Sequence, residues 1–199
     1  VGGKMALAGV TALAVAGTAA LVGVAKTGLQ TASDLTEVQN VVDVTFGDNA
    51  KTVDAWSQSL LKAYGLSELS AKKYASTTGA MLKSSGISDE NVLGMRQGIT
   101  QLTGDMASFY NLQPDEMFEK IRSGISGETE PLKALGINMS VANLEAFALS
   151  QGINKSYQAM SQAEQMTLRY NYLMSATADA QGDFSRTSDS LSNQTKLMK

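Results

Sequence analysis

Helix punctuation constrains this chain more than any other feature. It is densest between Gly104 and Ile153, GDMASFYNLQPDEMFEKIRSGISGETEPLKALGINMSVANLEAFALSQGI. An apolar-spaced segment ends near Asn111. Pro114 suits the first turn of a new helix, where its missing N–H costs nothing. Asp115 and Glu116 follow, where carboxylates favour the helix dipole. Met117, Phe118, Ile121 and Ile125 supply an apolar face, and Gly124 and Gly127 stop it. Pro131 opens a short turn that Gly136 closes. Ser140 caps a further helix with Val141, Leu144 and Ala148 inside. The pattern predicts short helices with tight corners, and one core drawing on Met106, Phe109, Phe118, Ile121, Leu144 and Phe147.

The same grammar holds upstream. Leu35, Val38, Val41, Val42 and Phe46 fit a helical spacing, although VVDVTF alone would also suit a short strand. A helix to about Val42 and a turn at Gly47–Asp48 are expected. Asp48 is placed to cap a helix carrying Val53, Trp56, Leu60, Leu61 and Tyr64 on one face, ended by Gly65. Trp56 reads there as a core anchor. Ser67 caps a helix with Leu69, Tyr74, Met81 and Leu82, ended by Gly86. Lys72, Lys73 and Lys83 make its outer side basic, which reads as a solvated face. Behind Ser88, Asp89 and Glu90, a series Val92, Met95, Ile99, Leu102, Met106 and Phe109 alternates three and four apart, a seam of coiled-coil type. Gly94 and Gly98 lie four apart in it. They are either a place for close backbone approach or a weak point costing about 1 kcal/mol each.

Residues 5–25 read MALAGVTALAVAGTAALVGVA, with Lys4 and Lys26 as the nearest charges. As a helix, these ~21 residues would span ~31 Å, about a bilayer core. Ala8, Ala12, Ala16 and Ala20 recur every fourth residue, a small-xxx-small face for close helix approach. The weak n-region and the length of the run argue against a secretory signal. A transmembrane helix and a helix buried between copies or against a tube lumen both remain open; Ala and Gly are less membrane-seeking than Leu, which favours the second. An apolar surface on every side predicts association between copies through this run.

Several function classes lose support from composition. The chain has 199 residues, a net charge of -3, and neither Cys nor His. An acidic balance offers no basic stripe for nucleic acid, so DNA contact is expected to be incidental. Without Cys there is no disulfide or thiolate chemistry. The absence of His removes the commonest general base and metal ligand together. Close carboxylate pairs exist, Asp115–Glu116 and Glu128–Glu130, but the first belongs to a helix N-terminus and the second to a Gly-rich corner with Lys120 and Arg122 nearby. No HExxH, CxxC, GxSxG or phosphate-loop spacing is present; GISGETEPLK lacks GK[ST]. No catalytic, cofactor-binding or metal residue is therefore assigned, no cofactor is expected, and the chain is not read as an enzyme.

Ser161 and Glu164 form a capping box, S-x-x-E. A heptad-like series follows: Met166, Tyr170, Leu173, Thr177, Ala180, Phe184, Thr187, Leu191, Gln194 and Met198, with a possible break at Gly182–Asp183. Its spacing predicts a helix leaving the domain, with Met166, Tyr170, Leu173, Phe184 and Leu191 as an arm seam. The expected organisation is all-α: an apolar helix over 1–30, a compact multi-helix domain of short helices over 31–160, and an extended helical arm over 161–199. The absence of an initial Met suggests a piece or processed form of a longer protein.

GDMASFYNL, the block KIRSGISGETEPLKALGINMS and LEAFALSQGI together resemble the helical core region of tape-measure proteins from long-tailed phages of Gram-positive hosts. The similarity extends upstream through DLTEVQNVVDVTFGD and SAKKYASTTGAMLKSSG, and downstream through LRYNYLM and AQGDFSRTSDSLSNQ, covering roughly residues 33–194. The resemblance implies a virion component in the tail lumen that sets tail length during assembly and takes part in genome ejection. It implies other copies of the chain, in a threefold bundle, as partners, together with tail tube and tail-tip proteins and tail assembly chaperones. Entry of an apolar helix into the host membrane during DNA delivery, as a pore or channel, is the alternative, and a cell-wall-degrading enzyme the second alternative. The family has no catalytic motif in this region to carry over.

Overall fold

The structure, a computed structural model, describes residues 33–44, 47, 50–190 and 192–194. Among them the backbone forms helices and turns and no strand. The chain divides into two compact units, 1–40 and 41–199. Of the first, the described residues 33–40 are helical, and the helix (α1) runs over 33–44. The expected helix at 5–25, with Ala8, Ala12, Ala16 and Ala20, lies outside the described residues, as do Phe46, Asp48 and Leu191.

In the second unit the elements are α2 (Ala50–Tyr64), α3 (Glu68–Ser84), α4 (Asp89–Phe109), α5 (Pro114–Ser126), α6 (Glu130–Lys133), α7 (Val141–Ser150), a 3-10 turn (Tyr157–Ala159), α8 (Gln162–Ala176) and α9 (Asp183–Thr187). Helix α4 is the hub: it packs against α2, α3, α5 and α9. Its seam explains why. Val92, Met95, Ile99, Leu102 and Met106 are all buried, while Phe109 at the end of the series is 48% exposed. Phe109 is therefore not the core residue that its spacing predicts: at the last residue of α4 its ring meets Tyr110 edge-on, with centroids 5.1 Å apart, and stays half exposed. Met106, Phe118, Ile121 and Leu144 do join one core, and Phe147 packs half-buried against it.

The punctuation is realised locally. Ser67 and Ser140 accept hydrogen bonds from Ser70 N and Asn143 N at 3.1 and 3.4 Å. Pro114 opens α5, and Gly65, Gly86, Gly127 and Gly136 sit at helix ends with left-handed φ. Gly127 alone ends α5; Gly124 lies inside the helix, where a Cβ would collide with Leu132. Its role is to let α6 approach. Asn111, where the apolar series was expected to stop, is a left-handed non-glycine residue at φ 53, a conformation that Asn tolerates through its short polar side chain.

Other expectations fail for tertiary reasons. Leu61 and Val141 point outward, although their spacing fits the apolar faces of α2 and α7. Lys72 is 3% exposed, not part of a solvated basic face. Its ammonium meets Asp54 at 3.0 Å and Glu68 at 2.6 Å, so the charge is matched across the α2–α3 contact. The close backbone approach on α4 occurs neither at Gly94, which has open space, nor at Gly98, which receives the Tyr170 side chain. It occurs at Gly104, where a Cβ would stand 2.5 Å from the Tyr64 carbonyl oxygen.

The extended arm over 161–199 is not formed by the described residues. Helix α8 packs against α5 and α7, and α9 against α4 and α2. Met166, Leu173 and Phe184 are buried in the unit and Tyr170 is half-buried. The heptad series is cut because α8 ends at Ala176, and Gly182, at φ 75, turns the chain back. A seam with Thr177 and Ala180 at its centre lacks the apolar area to hold a free helix together in water.

Candidate functional site

The second unit carries a groove of about 740 Å³ between the start of α4, helix α7 and helix α8. Its walls are Ile87, Phe147, Ile153, Met160, Leu168 and Met174. Each is placed by a helix grammar described above. Gly86 turns the chain so that Ile87 and the Ser88 cap face α8. Phe147 lies one turn before the end of α7, edge-on to Tyr172 with ring centroids 5.5 Å apart. Helix α8 supplies Ala163, Thr167, Tyr170, Asn171 and Met174 along one side.

Charge is almost absent from this groove. Glu164 is its one ionisable carboxylate. That carboxylate accepts Lys155 Nζ at 2.7 Å and Ser161 N at 2.6 Å, while Ser161 Oγ accepts Glu164 N at 3.2 Å. The capping box read from the sequence is thus complete and shares its Glu with a lysine. The Lys155 hydrogen bond first, and the Ser161 N–H second, hold the Glu164 carboxyl well below the usual range, at about 2. Glu164 is an ionised structural group, not a proton donor. Tyr170, the one expected seam residue that lines the groove, has its phenol pushed up by burial.

Apart from the groove, α7 leaves apolar side chains uncovered. That helix buries only Leu144 and Ala148. Leu149 is 63% exposed, and Val141 and Ile153 are also exposed. The arrangement offers apolar area with uncharged hydrogen-bonding groups at its edges, from Ser88, Asn91, Thr167 and Asn171. Such a surface binds by desolvation and shape. It has no nucleophile–base pair and no carboxylate pair set across the cleft.

Two buried arginines lie elsewhere. Arg96, inside α4, is held at about 10 by burial. Arg169 on α8 donates from Nη1 to Tyr157 Oη at 2.5 Å and lies against Gly127. Burial lowers its pKa, and Tyr157 offsets part of this. Both read as packing and corner-locking groups. Among the described residues no cluster of Asp or Glu is placed to hold a metal ion, and no helix is long and apolar enough to cross a membrane.

The groove was not legible in the sequence. Its walls come from three helices and two connections, spread from Gly86 to Met174, and no spacing links them. A fair signal was α7 itself, apolar on more sides than one small core can cover. Comparison with protein-family models, curated proteins and solved structures finds no match for this chain.

Proposed function

We propose that this chain is a helical structural module of a phage tail tape-measure protein, carried in several copies within the tail and released ahead of the DNA. The observation that carries the reading is the resemblance of long, ordered sequence blocks over roughly residues 33–194. An all-helical unit whose groove holds one ion-paired carboxylate and no acid–base pair is compatible with a structural role.

The ruler reading has a physical corollary. A helix advances 1.5 Å per residue, so the whole chain, if fully helical, would reach only ~300 Å. The second unit is instead folded, with a radius of gyration expected near ~15 Å for a domain of its size. Within this reading it measures little length itself. It serves as a folded knob, or end module, on a longer rod. Its partners are then other copies, tail tube and tail-tip proteins and tail assembly chaperones, and its location the tail lumen of the virion.

Labelling purified virions with an antibody against 41–199, followed by electron microscopy, tests the proposal. Label released from tails only after ejection or partial disassembly supports it. Absence of the chain from virions overturns it. Dye release from liposomes that requires residues 5–25 would favour the pore alternative, and loss of turbidity of cell-wall suspensions the enzyme alternative.

A further inference from the structure

We infer that the segment 179–194 is a strap that opens and recloses as one piece, over a polar seat on α4, while the rest of the second unit stays folded. The seat is three side chains spaced three residues apart, Asp105, Ser108 and Asn111, along the end of α4 and the turn behind it. Each of them holds the strap. Asp105 accepts the N–H groups of Gly182 and Phe184 at 2.7 and 3.2 Å. Ser108 donates to Asp183 at 2.6 Å and accepts Asn193 Nδ2 at 2.8 Å. Asn111 Oδ1 accepts the Ser192 hydroxyl at 2.6 Å. The strap is also bonded within itself. Arg186 donates to the carbonyls of Gln181 and Asp179 at 2.7 and 2.9 Å, which ties the turn to α9. Asn193 Nδ2 lies 2.9 Å from Thr187 Oγ1 and 3.1 Å from the Thr187 carbonyl, which ties α9 to the residues that follow. Internal bonds of this kind make the segment move as a unit.

The fastening is poor in apolar area. Among the described residues of the strap, Ala180 and Phe184 are the buried hydrophobic side chains. The Phe184 ring lies on Gly65, where a Cβ would collide with it. The Arg186–Asp183 ion pair, at 3.6 Å, is internal to the strap. What crosses to α4 is hydrogen bonding, and each such bond is exchanged for one to water on opening, at a small net cost. A segment held this way opens well below the free energy of global unfolding. Asp105 gives the opening a direction with pH. It is 4% exposed, and the charged or titratable groups that face it are Asp183 and Arg186 on α9 and the Tyr64 phenol on α2. Burial raises its pKa and Asp183 adds to this, against the lowering by the two backbone N–H groups and Arg186. Opening removes the cover of Gly182 and Phe184, so the closed form holds the proton more tightly than the open one. Closure is therefore favoured in full below the ordinary carboxylate pKa, and the strap loosens as pH rises through the raised value.

Hydrogen exchange of the full chain, read amide by amide and corrected for intrinsic rates, tests both parts. The probes are the hydrogen-bonded amides of Gly182, Phe184, Arg186, Ser190 and Gln194. They should share one opening constant, about tenfold or more above that of the amides over 95–106 in α4. Asn193→Ala removes bonds made to Ser108 and Thr187 and should raise opening at all five probes by roughly tenfold, with the α4 amides unchanged. Between pH of about 4.5 and 7 the opening constant of the wild-type strap should rise severalfold, while that of Asp105→Asn stays flat. Probes that exchange no faster than α4, or that open with unequal constants, would overturn the strap. So would an Asn193→Ala variant in which α4 loosens to the same extent. A wild-type opening constant that does not change with pH, or a rise that persists in Asp105→Asn, would overturn the control by Asp105.

Discussion

Asp105, in the last quarter of α4, accepts the backbone N–H of Gly182 at 2.7 Å, across 77 positions of sequence, and that of Phe184 at 3.2 Å. One carboxylate thus satisfies the start of α9, a helix too short to be stable alone. Ser108 adds a hydrogen bond to Asp183 at 2.6 Å, and Asn193 Nδ2 returns one to Ser108 at 2.8 Å. This latch folds the C-terminal segment onto α4.

Asp105→Ala should release α9. The buried N–H of Phe184 and the partly buried one of Gly182 lose their acceptor, at about 1–3 kcal/mol for a buried group left unsatisfied. Urea unfolding should show a loss of at least ~1 kcal/mol, and amides around Phe184 should exchange faster than those of α4. A variant with wild-type midpoint and exchange would show that Phe184 packing alone holds the segment.

The same carboxyl gives a pH signature. Burial raises the Asp105 pKa, outweighing the two backbone hydrogen bonds that lower it. A raised folded pKa means that the native state binds the proton more readily than the unfolded chain. The contribution of this group is therefore fully present below its usual carboxylate pKa and is lost as pH rises through the raised value. Asp105→Asn should remove that dependence, and unfolding midpoints of the two proteins compared across mildly acidic pH would reveal it.

Glu164 acts in the opposite direction. Its carboxyl is depressed to about 2, chiefly by Lys155. Its contribution is present above the usual carboxylate pKa and disappears as pH falls from about 4.5 towards 2. A carboxyl titration by NMR should find a midpoint well under that of exposed glutamates, and Lys155→Ala should move it upward.

Glycines on one helix should behave in contrary ways. Gly94→Ala enters open space and gains helix propensity, so stability should rise by up to about 1 kcal/mol. At Gly104 the added methyl meets the Tyr64 carbonyl, which cannot swing aside as a side chain would. Gly104→Ala should lose about 1–3 kcal/mol. Equal effects at the two sites would contradict the close α2–α4 crossing.

Phe118 stacks on Tyr74 with centroids 4.2 Å apart, and Tyr74 Oη donates to Asp115 at 2.6 Å. Phe118→Ala should cost about 3–5 kcal/mol. Phe109→Ala, on an exposed ring, should fall within roughly 0.5 kcal/mol of wild type. Thermal melts of the two variants distinguish a core residue from one that merely shares its spacing.

What the sequence determined by itself is local. Ser67, Ser140 and the Ser161–Glu164 box cap their helices, Pro114 opens one, and Gly65, Gly86, Gly127 and Gly136 close others, because each acts on backbone within a few residues. The five-residue seam of α4 was legible for the same reason: helical period is a property of neighbours. Which periodic residues are covered is not. Phe109, Leu61 and Val141 fit the pattern yet lie outside, and Lys72 lies inside, because burial depends on what a distant helix presents. The fate of 161–187 was decided at the same level. Heptad spacing suggested a free arm, but Gly182 and the carboxylate of Asp105, remote in sequence, bend it back onto α4. The groove arose in the same way, as the space left between helices whose individual faces were readable but whose arrangement only packing could choose.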